Sequence, residues 1–181
     1  MKCIDCALES CGFDVHIWDY PSRSKYIEEH ACDLVVFLQQ LACCSPGRPI
    51  HFVTHSIGAL ILRSALNQPD CPYEAKIGKA VLIAPPNQGA SLARRMRDVG
   101  LVRWALGKYS GWELMYFDPC NIALFGEFPC SMPVLVIAGQ KGSSLFFREL
   151  NDGYLTVEET RLNTPYYFLS LPFTHGDLLY S

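Results

Sequence analysis

The sequence predicts a single α/β domain built on a mostly parallel sheet covered by helices on both faces. Short apolar runs at 50–53, 79–84, 134–138 and 166–171 alternate with helix-like segments. These runs are apolar nearly throughout, as expected of strands buried on both faces rather than one. The 181 residues, half of them apolar and 18% charged, are enough for one core, with no repeat, low-complexity tract or linker.

Residues 2–11 are expected to form a helix that Gly12 ends. Asp14-Val15-His16-Ile17-Trp18-Asp19-Tyr20 reads as a strand stopped by Pro21. Ile27, Ala31, Leu34, Val35, Leu38 and Leu41 recur at helical spacing, so residues 24–43 form an amphipathic helix ended by Pro46-Gly47. The strand at 50–53 runs directly into an apolar helix at 59–66, and the strand at 79–84 is closed by Pro85-Pro86. Residues 91–107 are expected as one helix with Leu92, Met96, Val99, Val102 and Leu106 as its buried stripe. Tyr109 to Cys130 is aromatic, broken by Gly and Pro, and has no clear period.

A net charge of −3 gives no electrostatic footprint for nucleic acid, and the Arg94, Arg95, Arg97 cluster reads as the wet face of a helix. No run approaches the ~20 apolar residues that span a bilayer. The first residues lack the pattern of a secretory signal, so the expected location is cytoplasmic and the nine cysteines are expected as reduced thiols. Cys3-x-x-Cys6 with Cys11 and His16 was weighed as a zinc or redox site, but lacks a second ligand pair and a preceding strand.

In parallel sheets, ligands bind beyond the carboxyl ends of the strands. Ser56 lies in Val53-Thr54-His55-Ser56-Ile57-Gly58-Ala59, between a strand and a helix. A sharp turn there would project the hydroxyl above the sheet, at the positive end of the helix dipole. Such a turn needs small residues two places either side; Gly58 supplies one, and Thr54 stands where the usual motif has glycine. The plain alternative is a serine that only caps the helix.

A serine nucleophile needs a base, and the base needs an acid. His175 follows the last strand, whereas His16, His30 and His51 fall within predicted elements and read as structural. His55 adjoins Ser56 but points the wrong way in such a turn to act as its base. Asp152, in Asn151-Asp152-Gly153, fits the place of the acid, with a simple turn aspartate as the alternative. Glu149 is the reserve, and Asp118 and Asp177 fit the order less well.

These residues resemble those of the bacterial lipase-like α/β-hydrolases. The resemblance runs through Asp19-Tyr20-Pro21-Ser22-Arg23, residues 51–58, Ala84-Pro85-Pro86-Asn87-Gln88-Gly89, Asn151-Asp152-Gly153, Thr160-Arg161-Leu162 and residues 174–181. It implies an α/β-hydrolase fold over 1–181 with a small helical cap insertion at about 88–130, a Ser56/Asp152/His175 triad, and hydrolysis of carboxylic esters of lipid-like acyl groups. Ile57 would supply an oxyanion-hole N–H. No cofactor or metal is expected; the expected partner is a small acyl ester or lipid, with contact to a membrane surface compatible. An acyltransferase with the same triad, or a non-catalytic binding protein on the same scaffold, are the alternatives.

In that family a strand and a His-Gly loop precede the helix that here begins at Met1, and the loop provides the second oxyanion donor. Relatives also continue past His175 with a helix. A start codon placed too far downstream is the preferred reading, ahead of a decayed relative or another element in the gap. Losing one donor costs roughly 3–4 kcal/mol of transition-state stabilisation. In the cap stretch, Trp104, Trp112, Tyr116 and Phe117 are the expected lining of an apolar acyl cleft, with Tyr109, Met115 and Phe125 beside them. Ordinary packing of cap helices is the alternative.

Overall fold

The computed structural model describes residues 2–142, 145 and 147–180. Four parallel strands form one sheet in the order β1-β2-β3-β4: β1 (Phe52–His55), β2 (Ala80–Ile83), β3 (Val134–Gly139) and β4 (Tyr167–Leu171). Phe52 pairs with Ala80, Ala80 with Val134, and Leu135 with Tyr167, so the strand ends are nearly level. Each strand falls within two residues of its apolar run.

The two faces are covered unequally. Leu82, Val134 and Val136 face the main core, beneath α2 (Ile27–Cys44) and α3 (Gly58–Leu66). Ile27, Ala31, Leu34, Val35 and Leu38 of α2 are buried there, the stripe its spacing predicts. Each of the Ile, Leu and Val side chains among them contributes roughly 1.5–3 kcal/mol. On the other face Val53, Val81, Ile83 and Ile137 meet Ile4 of α1 (Lys2–Ser10) and Leu178 and Leu179 of the terminal 3-10 turn Asp177–Leu179. That second cluster is small, and Val53, Val81 and Ile137 stay half-buried.

Two expectations are corrected. Residues 14–20 belong to no strand: no described segment lies in ladder register with them, and β propensity without a partner does not make a strand. The expected helix at 91–107 is two, α5 (Ser91–Arg95) and α6 (Gly100–Leu106). The break covers 96–99, just before Gly100, a poor helix former that opens α6, and Val99 is 45% exposed rather than buried. The aromatic stretch beyond folds as α7 (Ser110–Tyr116) and α8 (Pro119–Ala123), after α4 (Tyr73–Lys76) earlier in the chain. Asp118 caps α8, its side chain accepting from the Asn121 N–H at 3.0 Å.

Arg63 of α3 ties the segment around α8 and the loop after β2 to that helix. Its buried guanidinium donates to the carbonyls of Gly126 at 2.8 Å, Ile122 at 2.9 Å and Asn87 at 3.3 Å. Among the described residues no helix is long and apolar enough to cross a membrane.

Candidate active site

Ser56 ends the first strand in a left-handed backbone conformation, φ 52°, that a non-glycine residue adopts only at a local cost of about 1–3 kcal/mol. Its N–H donates to the Ile83 carbonyl at 2.9 Å, one more rung of the β1–β2 ladder, before the chain turns into α3. Among the described residues no acceptor meets the Ile57 N–H, which lies at the start of that helix. A Cβ added at Gly58 would meet Thr54 Cβ and the Tyr20 hydroxyl at 3.7 Å, ordinary contact distances. The turn therefore does not demand glycine at 58, and this looseness accommodates Thr54. Thr54 Oγ1 is buried with no partner.

Asp152 and His175 come together across the carboxyl ends of β3 and β4. Asp152 is 2% exposed, and its Oδ2 lies 2.7 Å from His175 Nδ1. Its other oxygen, Oδ1, accepts the N–H groups of Tyr154 at 2.9 Å and Leu155 at 2.7 Å. The carboxylate is thus held by three donors, and the His175 N–H adds a backbone bond to the Asp152 carbonyl at 2.9 Å. Gly139 makes this approach possible, since a Cβ there would lie 2.6 Å from both Asp152 Cβ and the Phe173 carbonyl oxygen.

No hydrogen bond joins Ser56 Oγ to His175 among the described residues. The link between the two loops is made instead by His55, which the sequence reading set aside. Its ring packs on the His175 ring at 4.7 Å, and its Nε2 lies 3.2 Å from the His175 carbonyl oxygen. Burial, with the neighbouring His175 second, pushes the His55 pKa down to about 4. Tyr154 also packs on the His175 ring, at 5.1 Å. The signal for His55 was its place beside Ser56; the partner 120 residues away was not visible in the sequence.

The remaining expected residues divide. Trp112 stacks on Tyr116 at 4.8 Å and meets Phe117 edge-on at 6.1 Å, with Trp112 and Tyr116 partly exposed and Phe117 half-buried against the core. Trp104 is 69% exposed beneath the Arg23 guanidinium, while Met115 and Phe125 are core. None of these ring contacts reaches Ser56, Asp152 or His175. Asn87 and Gln88 tie the loop after β2 to the Thr160 and Arg161 carbonyls at 2.8 and 3.0 Å. The reserve acid Glu149 lies three residues before Asp152 and makes no contact with His175. Asp177 lies in the terminal 3-10 turn.

His16 pairs with Asp14 at the surface, His51 Nδ1 accepts from the Lys79 N–H, and His30 is buried beside Tyr20. Among the described residues, which exclude the Cys3 side chain, no three His, Cys, Asp or Glu groups converge as metal ligands. A surface cleft of about 530 Å³ lined by Ser91, Arg94, Arg95, Arg97 and Asp98 contains none of the residues above.

No family model and no curated protein matches the sequence. Solved structures do match. The mature form of the Bacillus licheniformis lipase BlEst2 superposes with a TM-score of 0.69 at 19% identity, covering 88% of this chain and 71% of that one. Phospholipase PlaB from Legionella pneumophila gives 0.61 at 16% identity, over 88% of this chain and 40% of that one. The metagenomic carboxyl esterase MGS0156 gives 0.60 at 21%, over 80% and 51%. The propeptide form of BlEst2 extends further still, this chain spanning 38% of it. The chain thus has the α/β-hydrolase fold, and the solved structures it resembles are those of a lipase, a phospholipase and an esterase.

Proposed function

We propose that the chain is a serine hydrolase of carboxylic esters, acting on lipid-like acyl groups through an acyl-enzyme. The observation that carries this reading is the buried Asp152–His175 pair, 2.7 Å apart beyond the strand ends, on the same edge as the strained turn at Ser56. That the structural neighbours are a lipase, a phospholipase and a carboxyl esterase supports the same chemistry.

In this mechanism Ser56 Oγ attacks the ester carbonyl and its proton passes to His175 Nε2. The oxyanion that forms is met by the Ile57 N–H, aided by the positive end of α3. His175 then protonates the leaving alcohol, and the acyl-enzyme is hydrolysed by water activated through the same Nε2. Asp152 remains ionised, keeps the Nδ1–H tautomer and stabilises the imidazolium. An alcohol in place of water would make the product a new ester, the acyltransferase variant. Trp112, Tyr116 and Phe117 receive the acyl chain, with Trp104 at the outer rim.

The lack of a Ser56–His175 hydrogen bond among the described residues favours the second reading, a non-catalytic scaffold, although such contacts often tighten only with substrate bound. Steady-state and burst hydrolysis of p-nitrophenyl esters separates the two. A burst proportional to enzyme, lost in Ser56→Ala and in His175→Ala, is expected; turnover surviving in Ser56→Ala would remove the proposal.

A further inference from the structure

We infer that His55 is a positioning residue that ties the Ser56 turn to the His175 loop and leaves His175 Nε2 as the free polar atom of that residue. The inference rests on the reading of His175 as the base.

Residue 175 is engaged on every other polar group. Its N–H donates to the Asp152 carbonyl at 2.9 Å, its Nδ1 meets Asp152 Oδ2 at 2.7 Å, and its carbonyl oxygen lies 3.2 Å from His55 Nε2. A carbonyl only accepts, so His55 Nε2 carries the proton and donates it. Because partial burial pushes the His55 pKa down to about 4, its ring is neutral near neutral pH and sets no second cation against the charge His175 gains. The His55 ring also packs on the His175 ring at 4.7 Å, with Tyr154 a second contact at 5.1 Å.

The placement of His55 matters as much as its bonds. It is the last residue of β1, so the backbone that carries Ser56 also holds the His175 loop. The separation of nucleophile and base is then set by one strand end rather than by two independent loops. An error of about 1 Å in such a separation can cost roughly 10²-fold in rate. Proton transfer itself remains with His175 and Ser56; His55 exchanges no proton in the reaction.

The test uses the full chain and two readouts. One is the rate at which a fluorophosphonate modifies Ser56, and the other is the far-downfield resonance of the His175 Nδ1 proton. The resonance is followed in a Ser56→Ala background, so it does not depend on catalysis. In His55→Ala, labelling is expected to slow by roughly 10²-fold, and the resonance should shift or broaden away. His55→Gln, which can still donate to the carbonyl, should recover most of both; His55→Phe, which fills the space without a donor, should not, and substitutes for His55→Ala if that variant fails to fold. Labelling at the wild-type rate overturns the inference, and so does an unaltered resonance. Absence of labelling in the wild type would instead remove the triad reading, leaving His55 to be judged by the resonance alone.

Discussion

Two glycines near the active-site edge make opposite demands at the residue scale. A Cβ at Gly139 would lie 2.6 Å from Asp152 Cβ and from the Phe173 carbonyl oxygen, and neither can withdraw without moving a loop. Gly139→Ala should therefore destabilise the fold by about 1–3 kcal/mol and abolish ester hydrolysis, as thermal melts and initial rates would show. Gly58→Ala meets only ordinary contacts at 3.7 Å and enters the first turn of α3, where alanine is the better helix former. It should leave the melting temperature equal to or above that of the wild type. The closeness of Asp152 and His175 was legible in the sequence because both were read in loops that follow strand-like runs, as Ser56 was; the roles of the three residues belong to the proposal. His55 was not legible as a partner of His175, since that contact depends on how two distant loops fold over one edge.

At the scale of elements, buried polar side chains join the segment between β2 and β3 to α2 and α3. Arg63 donates to three carbonyls from the 119–126 segment and the loop after β2, so Arg63→Met would leave those of Asn87 and Gly126 without this donor, while Ile122 keeps the Phe125 N–H at 3.2 Å. The expected loss in urea denaturation is about 3 kcal/mol or more. Glu113 of α7 provides a second junction, its Oε2 accepting the Ile27 N–H at 2.8 Å at the start of α2. Burial first, with Glu28 and Glu29 adding, pushes its pKa up from the ordinary 4.5 to about 7 despite that hydrogen bond. The fold thus holds a proton that the unfolded chain releases. The corresponding stability is full below pH 4.5 and is lost as pH rises towards 7, by up to about 3 kcal/mol. Glu113→Gln should flatten that part of the stability–pH curve, and an unchanged slope would assign it to other groups. Neither junction was readable from local pattern, because the partners lie 24 to 86 residues apart.

Over the whole molecule, the parallel sheet was legible because its strands are apolar runs between helices of clear 3.6 period. The unpaired segment at 14–20 was misread for a physical reason: its composition favours extended backbone, but a strand exists only with a neighbour. The helix break at 96–99 was missed because the apolar spacing continues across it while the backbone does not. The aromatic side of the cap gives a further expectation. If Trp112 and Tyr116 border the acyl path, Trp112→Ala should reduce kcat/KM for long-chain p-nitrophenyl esters well below its effect on the acetate. Equal losses across chain length would make these rings packing residues of the cap.

The most direct measurement is intact-mass and peptide mapping of the chain after treatment with a fluorophosphonate. A single adduct on Ser56, absent in Ser56→Ala and strongly slowed in His175→Ala, is the expected result. A folded sample that takes up no label, or takes it elsewhere, would contradict the assignment of Ser56 as an activated nucleophile and leave the α/β-hydrolase fold serving as a binding scaffold.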